Sequence, residues 1–188
     1  MKIEVVYGNI VAQPYVDAIV NSANANLRFG SGVAGAIHTA ASGEHYALSQ
    51  FSFAGNYAAK MPDNWEGYDL AVETGAGLLR VSVKTRSESV GWKASKWFNW
   101  DDRKDCDWFV FIFKAANGLL RSWVIPADLV EDHSNKPGTK RIDPWFRDLS
   151  WKNLTQPILA AYEDNWSMNT DIPVKDATNQ TIQETLSC

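Results

Sequence analysis

Large apolar residues alternate with smaller or polar ones on both sides of a turn in YDLAVETGAGLLRVSVKTR, residues 68–86: Tyr68, Leu70 and Val72 interleave with Asp69, Ala71 and Glu73. After Gly75-Ala76-Gly77, Leu79, Val81 and Val83 interleave in the same way with Arg80, Ser82 and Lys84. Period two on both sides of a glycine-containing turn predicts two antiparallel strands, each with one apolar and one polar face. Residues that face each other across a hairpin share a side of the sheet, so apolar must meet apolar. Pairing Leu70 with Val83 and Val72 with Val81 meets that condition. It also sets Glu73 opposite Arg80 and Asp69 opposite Lys84. An aspartate beside a lysine on a sheet face has two readings: a plain cross-strand ion pair, worth a few tenths to about 1 kcal/mol, or the centre of a site.

The flanking pattern supplies the remaining elements. GEHYALSQFSFAG predicts a helix carrying Glu44, DWFVFIF at 107–113 a buried strand, SWVIP at 122–126 another strand, and LTQPILAAYEDNW a closing helix. After Trp166 the chain reads SMNTDIPVKDATNQTIQETLSC, short of large apolar residues, which predicts a mobile polar tail over 167–188.

In element order and local motifs, residues 42–166 resemble the PD-(D/E)XK nuclease superfamily. The resemblance rests on Glu44 in the opening helix, Asp69 on the first hairpin strand and VSVK on the second. It implies an α/β fold with a restriction-endonuclease-like core, a mixed central sheet flanked by helices. It also implies metal-dependent hydrolysis or binding of DNA phosphodiesters, with Mg2+ or Mn2+ held by Asp69 and Glu44. Lys84 would polarise the attacking water and Glu44 would help to place metal or water. The chain departs from the family at Ser82, where an acid or glutamine is usual. A serine hydroxyl is neutral and a weaker ligand for a hard cation than a carboxylate. This leaves Glu44 and Glu73 as the nearest other acids, and an inactive, degenerate site as one reading of the motif.

The first 41 residues have a different character. IEVVYGNIVAQPYVDAIVNSANANLRFGSGVAGAIHTAA resembles the opening of a macro domain, a family that binds ADP-ribose. The match comprises a strand ending in GNI, the strand DAIVNSAN and a glycine loop entering a helix, where backbone N–H groups can meet a diphosphate. Carried over, Asn21 and Asn24 match the asparagines at the ribose, and Gly32, Val33 and Gly35 match the loop. No polar linker separates HTAAS from GEHYALSQ, so the segment is expected to dock on the core as a strand-loop-helix rather than form a free domain.

Composition bounds these readings. The chain has 188 residues, 45% of them hydrophobic, with nine tryptophans, enough for one sizeable core. A net charge of −4 argues against indiscriminate coating of nucleic acid. Residues 80–104 nevertheless carry seven basic residues against three acids, interleaved with Trp92, Trp97, Phe98 and Trp100. This is compatible with a local basic groove for DNA, with RNA the other nucleic acid allowed, and equally with a solvated loop whose rings turn inward. Asp101, Asp102 and Asp105 could reach a metal but read first as solvated loop acids, and Asp128, Glu131 and Asp132 as a solvated acidic turn. His38, His45 and His133 lack zinc spacing. Cys106 and Cys188 indicate no disulfide framework, which fits a reducing cytoplasm, and no stretch has the length of a membrane span. A homodimer is expected only by analogy with enzymes that cut both strands. Two alternatives stand beside the nuclease: an ADP-ribose-binding module and a catalytically silent interaction protein.

Overall fold

The computed structural model describes residues 33–62, 65, 67–88, 97–102, 105–136 and 143–173, with the backbone alone for 33–40. The fold is mixed α/β, as the sequence predicts. It opens on α1 (Val33–Phe53), which runs unbroken through the HTAAS–GEHYALSQ junction. Six strands and a short helix follow: β1 (Tyr57–Lys60), β2 (Leu70–Thr74), β3 (Gly77–Ser87), β4 (Trp97–Asp101), β5 (Trp108–Lys114), β6 (Leu120–Pro126) and α2 (Ala127–His133). The chain then forms β7 (Phe146–Ser150) and two single-turn helices, α3 (Trp151–Leu154) and α4 (Pro157–Ala160). No described helix is long and apolar enough to cross a membrane.

Five strands make one sheet in the order β1-β2-β3-β5-β6, antiparallel except for the parallel pair β3–β5. β4 and β7 form a separate antiparallel ribbon. The apolar residues of β2 and β3 meet α1: Leu70, Val72, Val81 and Val83 pack with Ala47 and Phe51, joined by Val110 and Ile112 of β5. Trp166 closes this layer, edge-on to Phe51 at 5.1 Å and to Tyr46 at 5.8 Å. On the opposite face Phe109, Phe111 and Phe113 pack with Phe98 and Trp100 of β4, Leu149 of β7, and Leu154 and Leu159. Both faces of β5 are therefore covered, which is why its sequence is a continuous apolar run rather than an alternation. Each fully buried large side chain in these layers contributes about 1.5–3 kcal/mol relative to exposure.

Three local expectations are corrected. The hairpin register is Leu70↔Val81 and Val72↔Leu79, slipped by two residues from the pairing of Leu70 with Val83. A slip of two keeps every side chain on its face, so hydrophobic alternation does not distinguish the two registers. The turn does. Thr74 Oγ1 accepts from the Ala76 N–H and donates to the Gly77 carbonyl, both at 3.2 Å, and Gly77 takes φ +122°, closing a two-residue loop at Gly75-Ala76. Glu73 thus faces Leu78 rather than Arg80.

The closing helix over LTQPILAAYEDNW is also broken into short turns. Pro157 disfavours helical geometry at Gln156, which is extended at ψ 150°, while Ser150 caps α3 by accepting from the Asn153 N–H at 3.1 Å. Asp164, at φ 52°, donates its N–H to the Ser122 carbonyl at 3.0 Å and turns the chain back onto β6. Thirdly, Asp128, Glu131 and Asp132 stand on α2, not in a turn. Of the polar stretch after Trp166, residues 167–173 are placed against the fold with Met168 buried, and 174–188 lie outside the described residues.

Candidate functional site

Asp69 immediately precedes β2, and its N–H donates to the Val81 carbonyl at 2.9 Å, continuing the hairpin ladder by one residue. Because Leu70 points into the α1 layer, Asp69 points to the other face. Continuing the register sets it across from Ser82. Three donors converge on Asp69 Oδ2: the Ser82 hydroxyl at 3.0 Å, the Val83 backbone N–H at 2.6 Å and the Lys84 ammonium at 3.4 Å. The Asp69 and Lys84 side chains are 19% and 16% exposed, and Ser82 is fully buried. The expected meeting of Asp69 and Lys84 is thus present, with Lys84 reaching diagonally and Ser82 inserted as a hydrogen-bond donor. Across β3 the parallel strand sets Ser82 beside Phe109 and Lys84 beside Phe111, so the polar cluster borders the aromatic layer.

Glu44 lies elsewhere. It forms an ion pair with Lys60 at 3.2 Å, and Lys60 is registered with Leu70, on the side of the sheet that carries α1. Asp69, Ser82 and Lys84 are on the opposite side. Glu73, the other acid considered as a substitute ligand, is further along β2 beside Leu78.

A magnesium or manganese ion takes several oxygen ligands, with carboxylates supplying the negative charge. Around Asp69 Oδ2 the donor set is one carboxylate, a serine whose O–H is directed at that carboxylate, and an ammonium at 3.4 Å from the same oxygen. A divalent cation there would displace or repel Lys84, with no second acid among the described residues to compensate. Among the described residues no group of three His, Cys, Asp or Glu side chains could hold a metal. The described residues around Asp69 therefore do not fit a divalent metal centre, since Ser82 and Lys84 bring a neutral hydroxyl and a cation where further carboxylates would be needed.

Two features were not singled out as site elements in the sequence. Arg86, two residues beyond Lys84 on the same face of β3, donates through Nε to the Trp97 carbonyl at 2.9 Å and through its terminal nitrogen to Asn99 Oδ1, tying β3 to β4. Its parity with Lys84 was the available signal. Burial pulls its pKa below the ordinary arginine value. Arg80 instead closes on Asp107, with its backbone N–H at 2.8 Å, Nε at 3.0 Å and a terminal nitrogen at 2.8 Å, and also contacts Asp105. The hydrogen bonds from Arg80 hold the Asp107 carboxyl below the usual carboxylate range, and in return raise Arg80 further. Asp105 and Asp102 are therefore ion-pair partners, the latter of Arg147.

The aromatic residues of the basic stretch divide. Phe98 and Trp100 turn into the core, as the inward reading of this segment allowed, and Trp97 stays 40% exposed. Trp92, Lys93, Lys96, Arg103 and Lys104 lie outside the described residues, as do Asn21, Asn24 and Gly32. Val33 and Gly35 fall in the opening turn of α1.

Among solved structures, the chain is similar to the bacterial homing endonuclease I-Ssp6803I, with TM-score 0.46 and 18% identity over 77% of this chain and 90% of that one. It is also similar to Hjc, a Holliday junction resolvase from Archaeoglobus fulgidus, with TM-score 0.41 and 11% identity over 61% of this chain and 85% of that one. No family model and no curated protein matches the sequence.

Proposed function

We propose that the chain is a nuclease-like protein that engages DNA phosphodiesters at the Asp69–Lys84 face, and that Ser82 makes this a binding site without effective cleavage. One observation carries the reading: Asp69 Oδ2 is shared by Ser82, Val83 and Lys84 on a half-buried face of a mixed sheet. The PD-(D/E)XK resemblance rests on Asp69 on the first hairpin strand and the lysine of VSVK on the second, and these two side chains meet here. Lys84 supplies a fixed positive charge able to attract a phosphodiester oxygen. Asp69, already accepting from three donors, serves to hold Lys84 and the start of the β2–β3 ladder in place. The single carboxylate supports binding over hydrolysis, since the usual second acidic ligand is a neutral hydroxyl. Nothing in the structure favours the ADP-ribose reading, for which only Val33 and Gly35 are described.

The test pairs fluorescence anisotropy of a labelled duplex with incubation of supercoiled plasmid in magnesium or manganese, for the parent protein, Lys84→Ala and Asp69→Asn. The expected result is duplex binding that Lys84→Ala weakens, with the plasmid left intact. Nicking by the parent that both substitutions abolish would overturn the silent-site reading. Failure of the parent to bind duplex would overturn the DNA reading itself.

A further inference from the structure

The described arginines fall into two groups. Arg80 closes on Asp107 and Asp105, Arg121 grips Glu163 through two nitrogens at 2.6 and 2.7 Å, and Arg147 pairs with Asp102. Arg86 alone among them is held by neutral oxygens, the Trp97 carbonyl and Asn99 Oδ1. The nearest acid along the chain, Glu88, accepts from the Ala116 N–H at 3.1 Å. Burial depresses the Arg86 pKa with no carboxylate acting against it. A cation withdrawn from water without a counter-charge is unfavourable, and an anion offsets it.

Arg86 also has a charged neighbour. Lys84 is two residues away on the same face, about 6.6 Å along the strand; among the described residues Asp69 is the carboxylate paired with either cation, while Asp148, across from Asn99, accepts from Asn135. A guanidinium has five N–H donors, so the bonds to Trp97 and Asn99 leave others available to a ligand. Its planar fork suits two oxygens of one phosphate, while an ammonium meets such oxygens as a point charge.

We infer that Lys84 and Arg86 form an anion site on β3 that takes a backbone phosphate, with Arg86 held ready by β4 rather than serving only to tie the two strands together. In identifying that phosphate as part of DNA, the inference rests on the function proposed above. The phosphate chemistry itself does not.

The test uses the full chain and a short labelled duplex, with affinity measured across a salt series. Each phosphate neutralised contributes about −0.9 to the slope of log K against log salt. Arg86→Gln is expected to weaken binding and flatten the slope by about 0.9, whereas Arg86→Lys keeps the slope. Asn99→Asp provides a second variant, which retains the tether but gives the guanidinium an internal counter-anion. It is expected to flatten the slope in the same way, so the outcome does not depend on Arg86→Gln folding. A slope unchanged in Arg86→Gln and Asn99→Asp makes Arg86 a structural tie only and overturns the inference while the DNA reading stands. If the parent binds no duplex, the DNA reading falls and inorganic phosphate decides the site. A rise in thermal midpoint with phosphate over chloride at equal ionic strength, lost in Asn99→Asp, upholds it. An equal response in parent and variant overturns it.

Discussion

Gly43 of α1 packs closely against Thr85 of the strand that carries the candidate site, and Gly43→Ala should be destabilising although alanine is the better helix former. A Cβ built on Gly43 would lie 1.7 Å from Thr85 Oγ1, 2.8 Å from Thr85 Cβ and 3.1 Å from Cγ2. Rotating Thr85 exchanges one γ atom for another but leaves its Cβ where it is, so the helix or β3 must move. Alanine gains about 0.5–1 kcal/mol in an exposed helix, while forcing an extra methyl into a packed layer costs about 1–3 kcal/mol. The difference runs from about 0 to 2.5 kcal/mol, and because Thr85 Cβ cannot rotate away the expectation is its upper part, a loss of about 1–2.5 kcal/mol, or about 2–10 °C in Tm for a chain of this length. Thr85 provides an internal control, because its hydroxyl is buried without a hydrogen-bond partner. Thr85→Ala alone should therefore be mild, and the double variant should be less destabilised than the sum, with a coupling of about 0.5–2 kcal/mol. Urea denaturation of the four proteins measures this cycle. A neutral or stabilised Gly43→Ala, or strict additivity, would refute the close approach of α1 to β3.

The Arg80–Asp107 clamp leads to two further expectations. Asp107→Asn should cost on the order of 1–2 kcal/mol, the value of a charge-assisted bond reduced for partial exposure, measured by urea denaturation at neutral pH. Since the folded-state pKa of Asp107 is depressed, its stabilisation is fully present above the unfolded value of about 3.9 and fades as pH falls below that value through the folded one. The parent should accordingly lose more stability than Asp107→Asn on going from pH 5 to below pH 4. Parallel pH profiles would show that the clamp contributes nothing to acid sensitivity.

Legibility of the fold in the sequence follows the range of the interaction. β2, β3, β5, β6 and the 43–53 part of α1 were readable because period two, continuous apolar runs and helical composition are local signals. β4 and β7 were not, since they pair with each other across the whole of β5 and β6. The break at Pro157 was available in principle, for proline restrains the residue before it. At the site, Asp69 and Lys84 came together despite the wrong register, because a slip of two preserves the face. What the slip changed was the neighbour, placing Ser82 directly across from Asp69. The partner of Arg80 was out of reach, being supplied by Asp107 at the start of β5 instead of by the hairpin strand. The placing of Glu44 with Lys60 depended on β1, which the alternation did not announce.

The most direct test of the account is calorimetric titration of magnesium and manganese into the parent and Ser82→Asp, with thermal midpoints recorded alongside. The parent should show no saturable metal binding and no metal-dependent change in midpoint. Ser82→Asp should be less stable without metal, since two carboxylates then face each other in a half-buried site, and should regain stability as metal is added. Saturable binding by the parent that Asp69→Asn removes would contradict the claim that Asp69, Ser82 and Lys84 do not hold a divalent metal.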